Sequence, residues 1–392
     1  VEEAEPSRSG DGKEGALMVD LGLKTLLHDK VRFLITVSGV AFAVTLVLVQ
    51  VGLFVGLLDN STITIRKLDA DLWITSKNSP TLDFVHQFPE SNVYRIRSVP
   101  GVARADNLIL SYMQVSLPNG AEETAIVYAM EDFAKWGVPW SVTSGNVADL
   151  KRGDFVMFDE SAARRFGPFA AGDYREVLGR RLKIIGTTRE AKSFTTTPLG
   201  FMDFERAQAL QPDVLEGKSS YIVVKLAPGA DVARVRSEIL ARLPYNDVYT
   251  SAEWAERSRS YWVENTGMGF NAFLTVFLWC LVGIVVVAQT LYTSTMEHLK
   301  EFGTVKAIGG TNLDIYRMLG KQASIAAGVG FVLGYVPAQL LEPVIAKADL
   351  KLIISPELTA TVFAGTVVLC LLSALVSFRK VATIDPALVF RT

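Results

Sequence analysis

TSTMEHLKEFGTVKAIGGTNLDIYRMLGK, residues 293–321, lies between two apolar runs that are each long enough to cross a bilayer. Glu297, Lys300, Glu301 and Lys306 fall at helical spacings, and the pair Gly309-Gly310 is expected to stop that helix. A second short helix is expected from Thr311 or Asn312, with Asp314 in its first turn and Arg317 and Lys321 toward its end. That order of charges suits the helix dipole. A short charged helix between two spans belongs at the membrane surface, where a cytoplasmic partner can push on it.

The composition agrees with a chain of two unlike parts. Of 392 residues, 49% are hydrophobic and 20% charged, but the charge is concentrated outside four apolar runs. A net charge of -2 provides no field for nucleic acid. Cys280 and Cys370 both sit inside apolar runs, so no disulfide framework is expected. His28, His86 and His298 form no ligand spacing, and no metal site is expected.

In chain order, residues 1–15 read as a disordered tail, polar and without periodicity. No signal peptide is expected before the first apolar run. Residues 16–32 suit a cytoplasmic interfacial helix. Residues 33–58 form the first expected span, longer than the ~20 residues that cross ~30 Å of hydrocarbon. Gly52 and Gly56 make a small face on it for helix packing, within one subunit or between two. Residues 59–265 alternate β-branched strand patterns (72–77, 110–117, 123–130, 180–188 and 220–226) with short helical stretches, which indicates an α+β domain. Its glycines between 145 and 179 suggest a second lobe near 130–200. The second span is expected at 268–292 and the third at 322–341, where Ala326, Gly330 and Gly334 lie four apart. The fourth is expected at 357–378, followed by a basic tail at 379–392. Lys and Arg cluster in 293–321 and after the fourth span, so both termini and the 293–321 loop are expected in the cytoplasm. The fold class is thus an α-helical membrane protein with four transmembrane helices. A large α+β extracytoplasmic domain is inserted between the first and second.

Several chemistries can be weighed against these residues. Gly217-Lys218-Ser219 ends like a phosphate loop, but Pro212 stands where the first glycine belongs and a strand follows. Any ATP is therefore hydrolysed by another chain. No nucleophile elbow or HExxH motif is present, and no catalytic residue is expected. The spans carry no Asp, Glu, Lys or Arg in their middles, which makes a poor pathway for a hydrophilic solute. Trp136, Trp140, Trp254, Tyr261 and Trp262 could form a contact surface, with Trp262 better suited to an interfacial belt.

The layout resembles the FtsX/MacB superfamily of ABC permeases (type VII), on three stretches. LKTLLHDKVRFLITVSGVAFAVTLVLVQVGLF (23–54) looks like the family's entry into its first span. MEHLKEFGTVKAIGGTNLDI (296–315) is similar to its signature E-R-x-x-E-[IF]-G-x-x-[KR]-A-[LIV]-G-[AG], with His298 in place of the arginine. FRKVATIDPALVFR (378–391) is similar to its basic C-terminal tail. The first stretch, with DADLWITSK (69–77), looks most like the DevC branch.

This resemblance implies a homodimeric permease of the bacterial inner membrane. It implies that Glu297, His298, Lys300, Glu301, Phe302, Gly303, Lys306, Ala307 and Gly309 contact a cytoplasmic ABC ATPase dimer that holds ATP and Mg, none being bound by this chain. It also implies a membrane-fusion adaptor, an outer-membrane channel and export of a hydrophobic or amphiphilic substrate by mechanotransmission. The alternatives are an FtsX-like regulatory module acting on a cell-wall hydrolase and a lipoprotein-extraction permease.

Overall fold

The computed structural model describes residues 30–191, 193, 197–297 and 311–382. The expected tail at 1–15, the interfacial helix up to residue 29, the segment 298–310 and the last ten residues lie outside these. Two compact units divide the chain: Gly56–Phe270, and the remainder up to Val55 and from Asn271 onward.

The first helix, α1 (Lys30–Lys67), has 38 residues. At ~1.5 Å per residue it is roughly 57 Å long, well beyond the ~30 Å of a bilayer core. It does not end at Leu58, as the hydropathy suggested, but continues through Asp59 to Lys67. Ser61 and Thr62 donate their hydroxyls to the carbonyls of Leu58 and Asp59 at 2.7 and 3.3 Å. Asp59 also pairs with Arg66 two turns on. Ile63, Ile65 and Leu68 are buried in the core of the inserted domain. β-branched residues are weak helix formers, and this burial outweighs their propensity.

The inserted domain is built on a mixed sheet of ten strands among the described residues. These are β1 (Leu72–Ser76), β2 (Val102–Ser116), β3 (Glu122–Met130), β4 (Val142–Ser144) and β5 (Phe155–Asp159). They continue with β6 (Tyr174–Val177), β7 (Arg180–Thr188), β8 (Leu199–Asp203), β9 (Tyr221–Leu226) and β10 (Asn246–Thr250). The order is β10-β1-β9-β2-β3-β8-β5-β7-β4, with β6 paired to β2 and β7. β3 with β8 and β5 with β7 are parallel; the other pairs are antiparallel. Because β3 pairs directly with β8, the region expected as a second lobe continues the same sheet rather than standing apart.

Helices α2 (Asn92–Arg97), α3 (Phe204–Leu210), α4 (Val232–Arg242) and α5 (Ser251–Glu264) complete the domain. The period of two along β1 divides its side chains between two cores. Leu72 and Ile74 join Ile222 and Val224 beneath α2 and α4, through Val93, Ile96, Val235 and Ile239. Trp73, between them, joins Tyr221, Val223 and Trp254 of α5 in the core that also receives the end of α1.

The second unit contains α6 (Met268–Glu297), α7 (Asn312–Ala346) and α8 (Pro356–Ala382) with most of α1. All four helices are long and apolar enough to cross a bilayer. Thr311 caps α7 through a capping box with Asp314: its Oγ1 accepts from Asp314 N at 3.3 Å, and Asp314 Oδ2 accepts from Thr311 N at 2.9 Å. The short surface helix expected to finish near Lys321 does not finish there. No breaking pair separates Lys321 from Gln322, and α7 runs unbroken to Ala346 through Pro337 and Pro343.

Glycines set the contacts of this unit. A Cβ on Gly330 would stand 2.6 Å from Val40 Cγ1, and one on Gly334 would stand 2.5 Å from the Ala41 carbonyl oxygen. Thr45 Oγ1 donates to the Gly334 carbonyl at 2.8 Å across the same contact, and Ala326 is buried beside it in the sequence repeat. Gly52 faces the α7–α8 connection, where a Cβ would meet Leu352 Cδ1 at 2.7 Å and Ile353 N donates to the Gly52 carbonyl at 3.1 Å. Gly56 is also buried. Gly39, which the sequence pattern did not single out, closes on Val286 of α6, with 2.5 Å to a built Cβ. Replacing Gly334 with Leu must therefore displace backbone, whereas Gly328 on the same helix faces open space. Gly334→Leu is expected to destabilise the unit by about 1–3 kcal/mol or more. Gly328→Leu should stay within about 0.5 kcal/mol of the native chain, both measured by thermal unfolding in detergent.

Candidate functional site

The expected ATPase contact is bracketed rather than displayed. Glu297 is the last residue of α6 and is exposed. His298, Lys300, Glu301, Phe302, Gly303, Lys306, Ala307 and Gly309 lie outside the described residues. Downstream, the capped start of α7 carries Asp314, with Arg317 Nη1 at 3.9 Å from its carboxylate. The segment is thus joined at both ends to helices that run on into the bilayer-length spans. Lys218 and Ser219 form a two-residue strand against Phe88 and Pro89, so the resemblance of 217–219 to a phosphate loop has no helix behind it.

Inside the helix unit, α1, α6 and α8 enclose an apolar cavity of about 250 Å³, lined among others by Val44, Val47, Cys280, Ile284, Val362 and Cys370. Its hydroxyls donate to backbone carbonyls, mostly of their own helix, Ser373 reaching Ile284 of α6 as well at 3.4 Å. Thr361, Thr366 and Ser373 donate to the carbonyls of Glu357, Val362 and Leu369 at 2.8, 2.7 and 2.9 Å. Their donors are thus occupied, and the mainly apolar lining suits hydrocarbon better than a hydrophilic solute.

The aromatic residues expected as a contact surface are mostly core. Trp136, Trp140, Trp254 and Trp262 are all buried. Trp136 Nε1 donates to Asp106 Oδ2 at 2.8 Å, with the Arg104 guanidinium 4.1 Å over its ring. Tyr261 is half-buried and borders a cleft that sequence reasoning missed. This cleft, about 540 Å³, is lined by Asp83, Phe84, His86, Ser111, Tyr112 and Tyr261 among others.

The cleft's geometry comes from the loop after β1. Leu82 N donates to Ser258 Oγ at 3.2 Å, Tyr221 Oη donates to the Leu82 carbonyl at 2.7 Å, and Arg257 Nε donates to the Ser79 carbonyl at 3.0 Å. Those bonds to α5 and β9 hold Asp83 against the protein. Phe84 packs edge-on to Tyr261 at 5.6 Å and lies 6.0 Å from Trp262. Asp83 itself is half-buried, and its enclosed carboxylate lies within reach of the Trp262 side chain. Burial pushes its carboxyl up to about 6, and a hydrogen bond from the Trp262 indole opposes the shift. Burial, reinforced by the Asp83 charge, pushes the Tyr112 phenol up to about 12. The same two causes raise Tyr128 and Tyr221 behind it. The signal in the sequence was Asp83 set among Leu82, Phe84 and Val85, an acid embedded in an apolar loop. Another was Thr250 followed three residues later by Glu253, the capping box that starts α5.

The family model of the MacB-like periplasmic core domain matches residues 33–242, and that of the FtsX-like permease C-terminal matches residues 273–386. The chain belongs to the MacB/FtsX-type ABC transporter permeases. It is 25% identical over 379 residues to an uncharacterized ABC transporter permease of Mycobacterium tuberculosis, covering 95% of this chain and 99% of that one. A further uncharacterized ABC transporter permease, from Methanocaldococcus jannaschii, is 24% identical over 230 residues, covering 55% and 56% of the two chains. Among solved structures, the periplasmic region of MacB from Actinobacillus actinomycetemcomitans aligns at a TM-score of 0.39 and 13% identity. That alignment covers 48% of this chain and 92% of that one. As an ABC permease, the chain is a multi-pass membrane protein that works with an ABC ATPase.

The Asp83 carboxyl gives a test of the cleft in the permease. Between pH 3.8 and about 6 the folded form holds a proton that the unfolded chain has lost. Stability therefore falls as pH rises through that window, and the loss is complete above it. A shift of about two units corresponds to roughly 3 kcal/mol. Asp83→Asn should consequently melt above the native chain at pH 8 and level with it at pH 4, measured by thermal unfolding of the full chain.

Proposed function

We propose that this permease is the membrane subunit of an exporter, and that it converts ATP-driven closure of a partner ATPase dimer into motion of its inserted domain. The observation that carries this is the pair of helices bounding 298–310. α6 ends at Glu297 and α7 begins, capped, at Asn312. A force on the charged segment between them is delivered to two helices that continue without a break through bilayer-length spans. ATP and Mg sit on the partner in this reading, and the permease binds neither.

The topology follows from charge. Lys300, Lys306, Arg317 and Lys321 surround the coupling segment, and Arg379 and Lys380 stand at the end of α8. Both termini and the segment 298–310 are cytoplasmic on this basis, the inserted domain is periplasmic, and the membrane is the bacterial inner membrane. A dimeric ATPase presents two equal docking grooves, which calls for a homodimer of this chain. The apolar cavity between α1, α6 and α8, with its satisfied hydroxyls, supports a hydrophobic or amphiphilic cargo. A membrane-fusion adaptor and an outer-membrane channel complete the proposed assembly. The likeness of residues 23–54 and 69–77 to the DevC branch favours that arrangement.

The test is affinity purification from native membranes followed by mass spectrometry. Recovery of an ATPase with an adaptor supports export. An ATPase recovered with a peptidoglycan hydrolase would replace it with a regulatory role, and a second, different permease would point to lipoprotein extraction. Within the same experiment, Glu301→Lys and Gly303→Trp should each abolish recovery of the ATPase while the permease still inserts. Undiminished recovery with both variants would remove the 298–310 segment from the docking site.

A further inference from the structure

We propose that residues 77–87, the strap that follows β1, form a pH-sensitive clasp over the aromatic cleft. The clasp is closed on α5 while the Asp83 carboxyl is protonated and opens far more often once that carboxyl ionises. It concerns the inserted domain alone and does not rest on the export reading.

The strap contains neither helix nor strand, so it has no ladder of its own and is held by a few bonds to its neighbours. At its start, Asn78 N donates to Asp247 Oδ2 at 2.8 Å, and Arg257 Nε donates to the Ser79 carbonyl at 3.0 Å. In its middle, Leu82 N donates to Ser258 Oγ and the Leu82 carbonyl accepts from Tyr221 Oη. Near its end, Ser76 Oγ donates to the His86 carbonyl at 2.8 Å. Leu82 is buried, and Phe84 lies across Tyr261 and Trp262. Two groups oppose this closure. Thr81 is fully buried, and its hydroxyl has no hydrogen-bond partner among the described residues. Asp83 is held enclosed against its ionisation, although the Trp262 indole donates to it. An unpaired buried hydroxyl and a buried carboxylate each cost about as much as one or more of those bonds contributes. A segment so poorly balanced opens locally before the sheet beneath it unfolds.

The groups around the carboxyl leave Asp83 as the switch. Tyr112 of β2, Tyr128 of β3 and Tyr221 of β9 face it, and burial with the Asp83 charge keeps their phenols neutral. From α5 come Trp262, Tyr261 and Arg257, the last bonded to the strap and 5.4 Å over the Tyr249 ring. Asp247 of β10 accepts from Asn78 N and from Tyr249 Oη, and His86 is exposed on the strap itself. Burial raises the Asp83 carboxyl to about 6, against the Trp262 bond, whereas in an open strap it returns to water and to 3.8. Between those values the closed strap holds a proton that the open one has released. Closure therefore weakens as pH rises through the window and changes no further above it. Across the whole window the opening equilibrium moves by about a hundredfold. Opening lifts Phe84 from Tyr261 and Trp262, so the cleft's inner rings are more accessible at neutral pH than in acid.

The experiment is hydrogen exchange read by mass spectrometry on the full chain in nanodiscs, from pH 4.5 to pH 7.5. Each rate is corrected for the intrinsic pH dependence of exchange. Protection of the peptide 79–87 should fall by roughly twentyfold, most of it below pH 6.5. The β3 peptide 122–130 should keep its protection. Asp83→Asn should hold the strap's protection constant across the range, with an unfolding curve to report that the fold is kept. Thr81→Val leaves the carboxyl in place and removes the unpaired hydroxyl. It should raise the strap's protection at every pH with the pH dependence intact. His86→Gln should also leave that dependence intact. Strap protection that does not change with pH, or that changes equally in 122–130, would overturn the proposal. So would a pH dependence that survives Asp83→Asn or is lost in His86→Gln.

Discussion

Close backbone contact between α1 and α7 is the constraint on which the helix unit depends. Lipid tails are as apolar as leucine, so hydrophobicity does not drive helices together inside a bilayer. What remains is van der Waals packing and interhelical hydrogen bonding. Gly330 and Gly334 let α7 approach Val40, Ala41 and Val44 at distances a methyl group would forbid, and Thr45 adds its bond to the Gly334 carbonyl there. Gly39 does the same for α6, and Gly52 for the α7–α8 connection. α6, α7 and the α7–α8 connection are thereby brought against α1 by absent side chains rather than by large ones.

α1 is the element shared by both kinds of chemistry. Its first part is packed by these glycine contacts, and its last turns are buried among Ile63, Ile65, Leu68 and the aromatic core of the inserted domain. Each part is held by the packing of the unit to which it belongs.

The cleft at Asp83 shows a carboxyl kept at a cost. Burial raises it to about 6 against the hydrogen bond from Trp262, so its ionised form lowers stability at neutral pH. The surrounding structure holds it in place through Ser258, Tyr221 and Arg257, each bonded to the same loop.

The sequence alone determined the elements whose signal is local. Four long apolar runs must be spans because water-soluble cores seldom leave so many consecutive residues uncharged, and β-branched and aromatic enrichment marks β1, β3, β7 and β9 as strands. The cap at Thr311 and the spacing of Ala326, Gly330 and Gly334 were equally plain. Tertiary structure decided the rest. Residues 59–67 are helical because Ile63 and Ile65 are buried by strands far along the chain, which no local propensity records. The tryptophans became core, and the two expected lobes became one sheet, through the parallel pairing of β3 with β8, a contact about seventy residues apart. Asp83 drew no reading from the sequence, and its enclosure by α5, β2 and β9 is visible only in the fold, since burial is a property of neighbours and not of the residue itself.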